Sequence, residues 1–283
     1  MKNILVLCLL FVSLVVFGQK RAFEIYDHKG DKKTFQALVD QALQKEVVLF
    51  GEFHDNPIHH WLQLELVIDL QKQNQQLTLG AEMMEADNQL VIDEYLAGMI
   101  SEKKLISESK TWVNFETDYL PLLQFAKKNK LPFVATNVPR RYASMVYKHG
   151  LDSLNRLSDL AKSYMAPLPI TIDTTLSTYQ EILEMGMGHA GDNLPKSQAL
   201  KDATMAHFIL KNSRNGHLLV HFNGAFHSKQ YEGIYWYLRQ ANKQLKILTI
   251  SVVEQDDINA LSEGQIGQAD FIIATPTNMT KTH

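Results

Sequence analysis

The sequence has little of several residue types and patterns, and each shortage excludes a class of protein. Cysteine occurs once in 283 residues, at Cys8, so no disulfide framework can form within the chain. No cluster of Lys and Arg is longer than two residues, and the formal net charge is −3. The sequence therefore predicts no nucleic-acid partner. The P-loop, GxSxG and HExxH motifs are also absent from it.

Long apolar runs are missing except at the N-terminus. There, Lys2 precedes the apolar run Ile4–Phe17, and Gly18 offers a small residue at a cleavage site. This pattern predicts a secretory signal peptide over residues 1–18, with Gln19 first in the mature chain; an uncleaved anchor is the alternative. Cys8 lies in the middle of the run, which is not the position of a lipoprotein cysteine. We expect an exported protein, periplasmic or associated with the outer membrane.

The rest of the chain alternates between short apolar runs and helical patterns. Residues 57–73 show the 3.6-residue period of a helix, and we expect at least one of its two histidines, His59 or His60, to be exposed. Residues from about 141 to 215 are amphipathic without a convincing strand. We predict one α/β domain over residues 19–283, with a mostly parallel sheet flanked by helices and an inserted all-helical subdomain at about 141–215. The predicted strands are Val47–Gly51, Leu77–Glu82, Leu131–Asn137, Leu218–Asn223, Ile247–Val253 and Phe271–Ala274.

Polar side chains stand where four of these strands end. Because ligands bind beyond the carboxyl ends of the strands in open parallel sheets, these side chains should meet at one rim. Carboxylates and imidazoles at one rim predict a divalent metal site or general acid–base chemistry. The principal candidates are Glu52, His54, Glu82 and His227, and the supporting ones are Asn137, Arg140, His221 and Asn223.

Most of these residues also have an ordinary structural interpretation. Asp55 or Asn56 can cap the helix that starts at Pro57, and Asn137 can cap a helix in the same way. His221 lies inside an apolar run, where a histidine is more often a hydrogen-bonded core residue than a ligand. Glu82 is the hardest to explain structurally, because a carboxylate in a buried strand costs free energy unless it is paired or liganded.

The chain contains the five segments VVLFGEFHDNPIHH, LGAEMME, VATNVPRRYASMV, LKDATMAHFI and VHFNGAFHSK. Together they resemble the ChaN family of haem-binding, iron-uptake-associated bacterial proteins. That family lies in a superfamily with the Tiki metalloproteases and the erythromycin esterases. The resemblance implies a parallel-sheet core with a helical subdomain, and a homodimer that holds haem at its interface through a tyrosine ligand with a histidine nearby. Many members are lipoproteins, and this chain departs from them in lacking a lipobox.

The predicted helical region contains candidates for the haem site that the resemblance implies. Tyr179 and Met187 fall on one helix face, and Tyr179 is the first choice as iron ligand, since ferric haem accepts tyrosinate. Tyr164 is the second choice, and His189 is the candidate hydrogen-bonding group. The alternative interpretation is that this face packs on the core and that Tyr179 only finds a hydrogen bond.

Two functions follow from these residues. The first is an exported haem-binding protein of haem or iron uptake, which could serve an outer-membrane transport system. The second is a metal-dependent hydrolase of protease or esterase type that uses Glu52, His54, Glu82 and His227 around a divalent ion.

Overall fold

The structure, a computed structural model, describes residues 20–73, 76–185, 191 and 193–283. The predicted signal peptide, Met187 and His189 lie outside the described residues. Within them, no helix has the length and apolar character needed to cross a membrane.

Eight strands form one sheet. They are β1 Glu24–Asp27, β2 Lys32–Lys33, β3 Val47–Glu52, β4 Gln76–Glu85, β5 Phe133–Asn137, β6 His217–Gly224, β7 Ile247–Gln255 and β8 Phe271–Pro276. Their order across the sheet is β2-β1-β8-β7-β3-β6-β4-β5. The six strands from β8 to β5 pair in parallel, and β1 and β2 add an antiparallel edge. The predicted α/β fold with a mostly parallel sheet is confirmed.

Ten α-helices in the described residues cover the sheet. They are α1 Phe35–Ala42, α2 Pro57–Lys72, α3 Gln89–Leu96, α4 Glu102–Glu108, α5 Leu120–Asn129, α6 Arg140–His149, α7 Asp159–Lys162, α8 Ser177–Met185, α9 Asn193–Asn212 and α10 Ile234–Ala241. Short 3₁₀ turns lie at Ala86–Asn88, Leu151–Arg156, Ala225–His227, Lys229–Tyr231 and Glu263–Gln265, and a π-helical segment lies at Phe115–Tyr119.

The central strand β3 shows why the sequences of the parallel strands are continuous apolar runs. Val48 and Phe50 face the larger core, which α1, α2 and α5 cover. Val47 and Leu49 face the opposite way, against α9 and α10. Because both faces of the strand are buried, every position favours an apolar residue, and β-branched residues fit the pleated backbone.

The helix after β3 begins at a polar cap. The Asn56 side chain accepts a hydrogen bond from the Ile58 backbone N–H, and Pro57 takes the first helical position. The expected Asn56 cap is therefore confirmed. Asn137 does not cap α6, because Pro139 holds that position.

The segment predicted as a helical insertion has two parts. Its described residues up to α8 contain helices and turns, and α6 packs on α9 around Val146, Leu154 and Met165. The last helix, α9, lies on the sheet, where Met205 and Ile209 pack against β3 and β6. The long helix α9 thus connects the predicted helical insertion to the central core.

Candidate functional site

The carboxyl ends of β3, β4, β5 and β6 meet at one rim of the sheet, as their parallel pairing requires. Glu52 lies opposite Gly224 in the β3–β6 register, and Glu85 lies opposite Asn137 in the β4–β5 register. Strand β4 continues three residues past Glu82, with an irregular register between Ala81 and Glu85. Such bulges re-aim side chains and are common beside functional sites.

Glu52 is a buried hydrogen-bond hub beneath this rim. Its Oε1 accepts from the Tyr119 hydroxyl and lies beside His54 Nδ1, both at 2.8 Å. Its Oε2 accepts from the Gln63 amide and lies 3.4 Å from His60 Nδ1. Burial alone would raise the pKa of Glu52, but the hydrogen bonds from His54 and His60 lower that pKa to about 2.

A second buried network runs from β4 to the helical region. His227 Nε2 lies 3.1 Å from Glu82 Oε1, and His227 Nδ1 lies 2.5 Å from Asp202 Oδ1. The Tyr179 hydroxyl donates to the other Asp202 oxygen at 2.8 Å. Burial alone would lower the pKa of His227, but the two carboxylates raise that pKa to about 10. His227 is therefore an imidazolium between two carboxylates.

Glu82 is fixed from both sides. Although burial raises its pKa, the facing His227 holds the pKa of Glu82 well below its usual range. Its Oε2 accepts a hydrogen bond from the Gly224 N–H at 2.8 Å. A Cβ at Gly224 would lie 2.8 Å from His54 Nε2 and 3.5 Å from Glu82 Oε2, so His54 and Glu82 approach each other across this glycine.

The structure brings Glu52, His54, Glu82 and His227 together, but the carboxylate oxygens of Glu52 and Glu82 and both nitrogens of His227 already have polar partners. Both nitrogens of His227 face carboxylates at hydrogen-bond distance, so neither presents a lone pair to the rim. In the described ranges, no group of three or more His, Cys, Asp or Glu side chains is arranged to hold a metal ion. The predicted divalent metal site thus has no support in the structure.

Three other histidines near the rim are core residues. His221 is fully buried between Thr136 and Asn223, and burial lowers its pKa to about 4. The core interpretation of His221 is therefore confirmed. The expectation that His59 or His60 is exposed is wrong, because both are buried. His59 accepts from a backbone N–H, and His60 reaches Glu52.

Above these networks lies a cavity of about 750 Å³, within the usual range for ligand pockets. We call it the rim cavity. Trp112, Val138, Ile182 and Phe226 contribute apolar wall, and the basic lining residues are Arg140, Lys201 and Lys281, beside His54, His227 and His283. The chemistry fits haem, a flat apolar ring that carries two carboxylates. No tyrosine is among the described residues that line the cavity.

The two candidate haem tyrosines lie elsewhere. Tyr179 is buried with Ile182 and Ala199, and burial together with Asp202 raises the pKa of its phenol far above the usual value. A tyrosinate ligand needs the opposite environment, so this placement disfavours Tyr179. Tyr164 is half-buried and packs beside Phe208.

Sequence reasoning missed Asp202 and Tyr119. Asp202 is a buried carboxylate of α9, and its neighbour Lys201 makes it look like an ordinary residue of a solvated helix face in the sequence. Tyr119 ends the π-helical segment, and nothing in its local sequence indicates that it reaches Glu52. The C-terminal residues were also missed: Lys281 contacts Asp55 and Glu254, and Thr282 donates to Asp118.

Comparison with known proteins adds a family and a fold. A family model described as haem-binding uptake, Tiki superfamily, ChaN matches residues 38–238. No curated protein matches the chain. Among solved structures, the chain is similar to ChaN of Campylobacter jejuni, whose structure is described as cofacial haem binding. The TM-score is 0.65 at 19% identity, covering 89% of this chain and 96% of that one.

A second solved structure, a succinoglycan biosynthesis protein, is also similar to this chain. It has a TM-score of 0.51 at 10% identity and covers 86% of this chain and 91% of its own. At such identities, both likenesses concern the fold.

The paired carboxylates around His227 predict a large effect of its removal. His227→Gln leaves Glu82 and Asp202 buried without their cation, and we expect the free energy of unfolding to fall by about 3–5 kcal/mol at neutral pH. The folded-state pKa is raised from 6.5 to about 10. The stabilisation is thus fully present below about pH 6.5 and is lost as the pH rises through 10. Urea denaturation of wild type and variant across this range measures the difference.

The exposed His28 provides the control, because His28→Gln should change the free energy of unfolding by less than about 0.5 kcal/mol. A difference between wild type and His227→Gln that stays constant from pH 6.5 to 10 would contradict the imidazolium assignment.

Proposed function

This chain belongs to the haem-binding uptake family ChaN of the Tiki superfamily, and on that premise we propose that it is an exported haem-binding protein of haem or iron uptake. The resemblance recognised in the sequence is thus confirmed at the level of the family. The haem itself, the dimer and export are the content of the proposal.

The observation that carries the proposal is the composition of the rim cavity. Its aromatic and aliphatic wall, with Trp112 and Phe226, can pack on the faces of a porphyrin. Lys201 and Arg140 can pair with the two propionates. Bound haem would supply its iron and its ring, and this chain would exclude water from the ring and neutralise the propionates.

A tyrosine ligand for haem in this cavity would have to come from a second copy of the chain. The described lining residues of one chain include no tyrosine, so a tyrosine that reaches the iron there must cross an interface. This requirement favours the homodimer. We transfer the ligand role from Tyr179 to Tyr164, because the Tyr179 phenol is buried and donates to Asp202. His189 keeps its proposed role as the hydrogen-bonding group.

The hydrolase alternative is not favoured. A general base needs an available lone pair at the operating pH. Both nitrogens of His227 and the oxygens of Glu82 are committed to each other and to their neighbours. The arrangement supports a rigid floor for a ligand more than a proton-transfer centre.

Hemin titration followed by visible absorbance tests the haem proposal. We expect saturable binding by wild type. Trp112→Ala should weaken it by about 10- to 150-fold, because an aromatic side chain in contact with a ligand contributes about 1.5–3 kcal/mol of apolar burial.

The matched control is Trp61→Ala. Trp61 is 46% exposed, packs on Phe23 and lies outside the cavity lining, so its removal should leave the affinity unchanged. The haem proposal fails if wild type shows no saturable binding.

The proposed tyrosine ligand and the dimer are tested together. We expect Tyr164→Phe to lose the ferric-tyrosinate spectrum of bound hemin, and Tyr179→Phe to keep it. Sedimentation should show that wild type with hemin has twice the mass of one chain. A lost spectrum in Tyr179→Phe alone would return the ligand role to Tyr179, and a haem-bound monomer would refute the interface.

Export predicts a specific mass. Protein recovered from an exporting host should lack residues 1–18 and begin at Gln19, as intact-mass spectrometry can measure. A mass that includes those residues would contradict cleavage near Gly18.

A further inference from the structure

One corner of the rim cavity is chemically unlike the networks beneath it. Glu85 and Asn137 lie opposite each other where β4 and β5 end, and both line the cavity. Their exposed fractions are 7% and 8%, so both side chains are more than nine-tenths buried. We call this pair the Glu85–Asn137 corner.

Both side chains have an acceptor without a partner. Glu85 Oε2 and Asn137 Oδ1 are buried and have no hydrogen-bond partner among the described residues. Buried acceptors are rarely left in this state, because each has lost its water without gaining a donor. Glu52 and Glu82, by contrast, have every carboxylate oxygen engaged.

The nearest cation compensates Glu85 only weakly. Arg140 Nε lies 4.0 Å from Glu85 Oε1, beyond hydrogen-bond distance, and the Arg140 side chain is 73% exposed. The neighbouring Arg141, by contrast, forms a hydrogen-bonded ion pair, because its guanidinium donates directly to Asp87. Arg140 is thus a loosely held cation beside two unpartnered acceptors.

We propose that the Glu85–Asn137 corner binds the primary ammonium group of a small alkylamine ligand. An ammonium carries three N–H donors and no acceptor, so one group can donate to both side chains. A hydrogen bond from a cation to a carboxylate is about twice as strong as a neutral one. Val138, which also lines the cavity, offers apolar surface to the alkyl chain. The corner lies in the same rim cavity as the proposed haem site and shares Val138 and Arg140 with it, but amine binding does not depend on haem binding.

Arg140 has a defined part in this site. Its guanidinium competes with the ligand ammonium, because both cations interact with the Glu85 carboxylate. An arriving amine displaces a weak contact and gains two hydrogen bonds. Removal of the Arg140 charge should therefore strengthen amine binding, an effect that a merely structural Arg140 would not produce.

The experiment uses the full chain without haem and two probes of equal chain length, butylamine and butyrate, titrated by ligand-observed NMR. We expect saturable binding of butylamine and none of butyrate. Glu85→Gln should weaken butylamine binding at least tenfold, and Arg140→Gln should strengthen it severalfold.

Glu254→Gln is the matched control. Glu254 also lines the cavity, but Lys281 and Asn56 already engage its carboxylate, so this variant should bind butylamine as wild type does. The proposal is overturned if butylamine does not saturate wild type, if Glu85→Gln binds it equally well, or if Arg140→Gln binds it more weakly. If Glu85→Gln fails to fold, the effect of Arg140→Gln on butylamine binding still tests the proposal.

Discussion

The rim of this protein depends on one buried cation, the His227 imidazolium between Glu82 and Asp202. Either carboxylate alone in the interior would carry a desolvation cost of several kcal/mol. The shared imidazolium compensates both, and the partners of those carboxylates extend the effect. Glu82 accepts from the end of β6 at Gly224, and Asp202 accepts from Tyr179 on α8. One charge triad thereby ties two strands and two helices to the floor of the rim cavity.

This triad also separates the cavity into a floor and a wall with different properties. The floor is polar and buried, and the carboxylate oxygens of Glu52 and Glu82 that form it all have partners, so it offers a ligand few free lone pairs. The wall has aromatic rings, such as that of Trp112, and cationic side chains, such as that of Arg140. A ligand that binds through its ring faces and its peripheral carboxylates makes its contacts with the wall. It needs few hydrogen bonds from the floor. That division supports a carrier more than a catalyst.

Much of this arrangement could be predicted from local sequence, and the limits have physical causes. The six parallel strands were predictable because both of their faces are buried, which imposes continuous apolar runs. Strands β1 and β2 were missed because they are only four and two residues long and contain charged residues, such as Lys32 and Lys33. Glu82 was predictable from the cost of its desolvation. Its relation to Asp202 was not, because 119 intervening residues and the packing of α9 on the sheet bring the two to His227. The same missing contact explains why Tyr179 looked like an available phenol.

The position of the last residues has a practical consequence for recombinant work. Thr282 donates its backbone N–H to Asp55 and its hydroxyl to Asp118, and His283 lines the rim cavity. An affinity tag fused after His283 would therefore emerge at the cavity mouth. A polyhistidine tag there would present additional imidazoles to any iron porphyrin, and their ligation would obscure the spectrum of a tyrosinate ligand. Tags placed after the predicted cleavage site, or removed before titration, avoid this artefact.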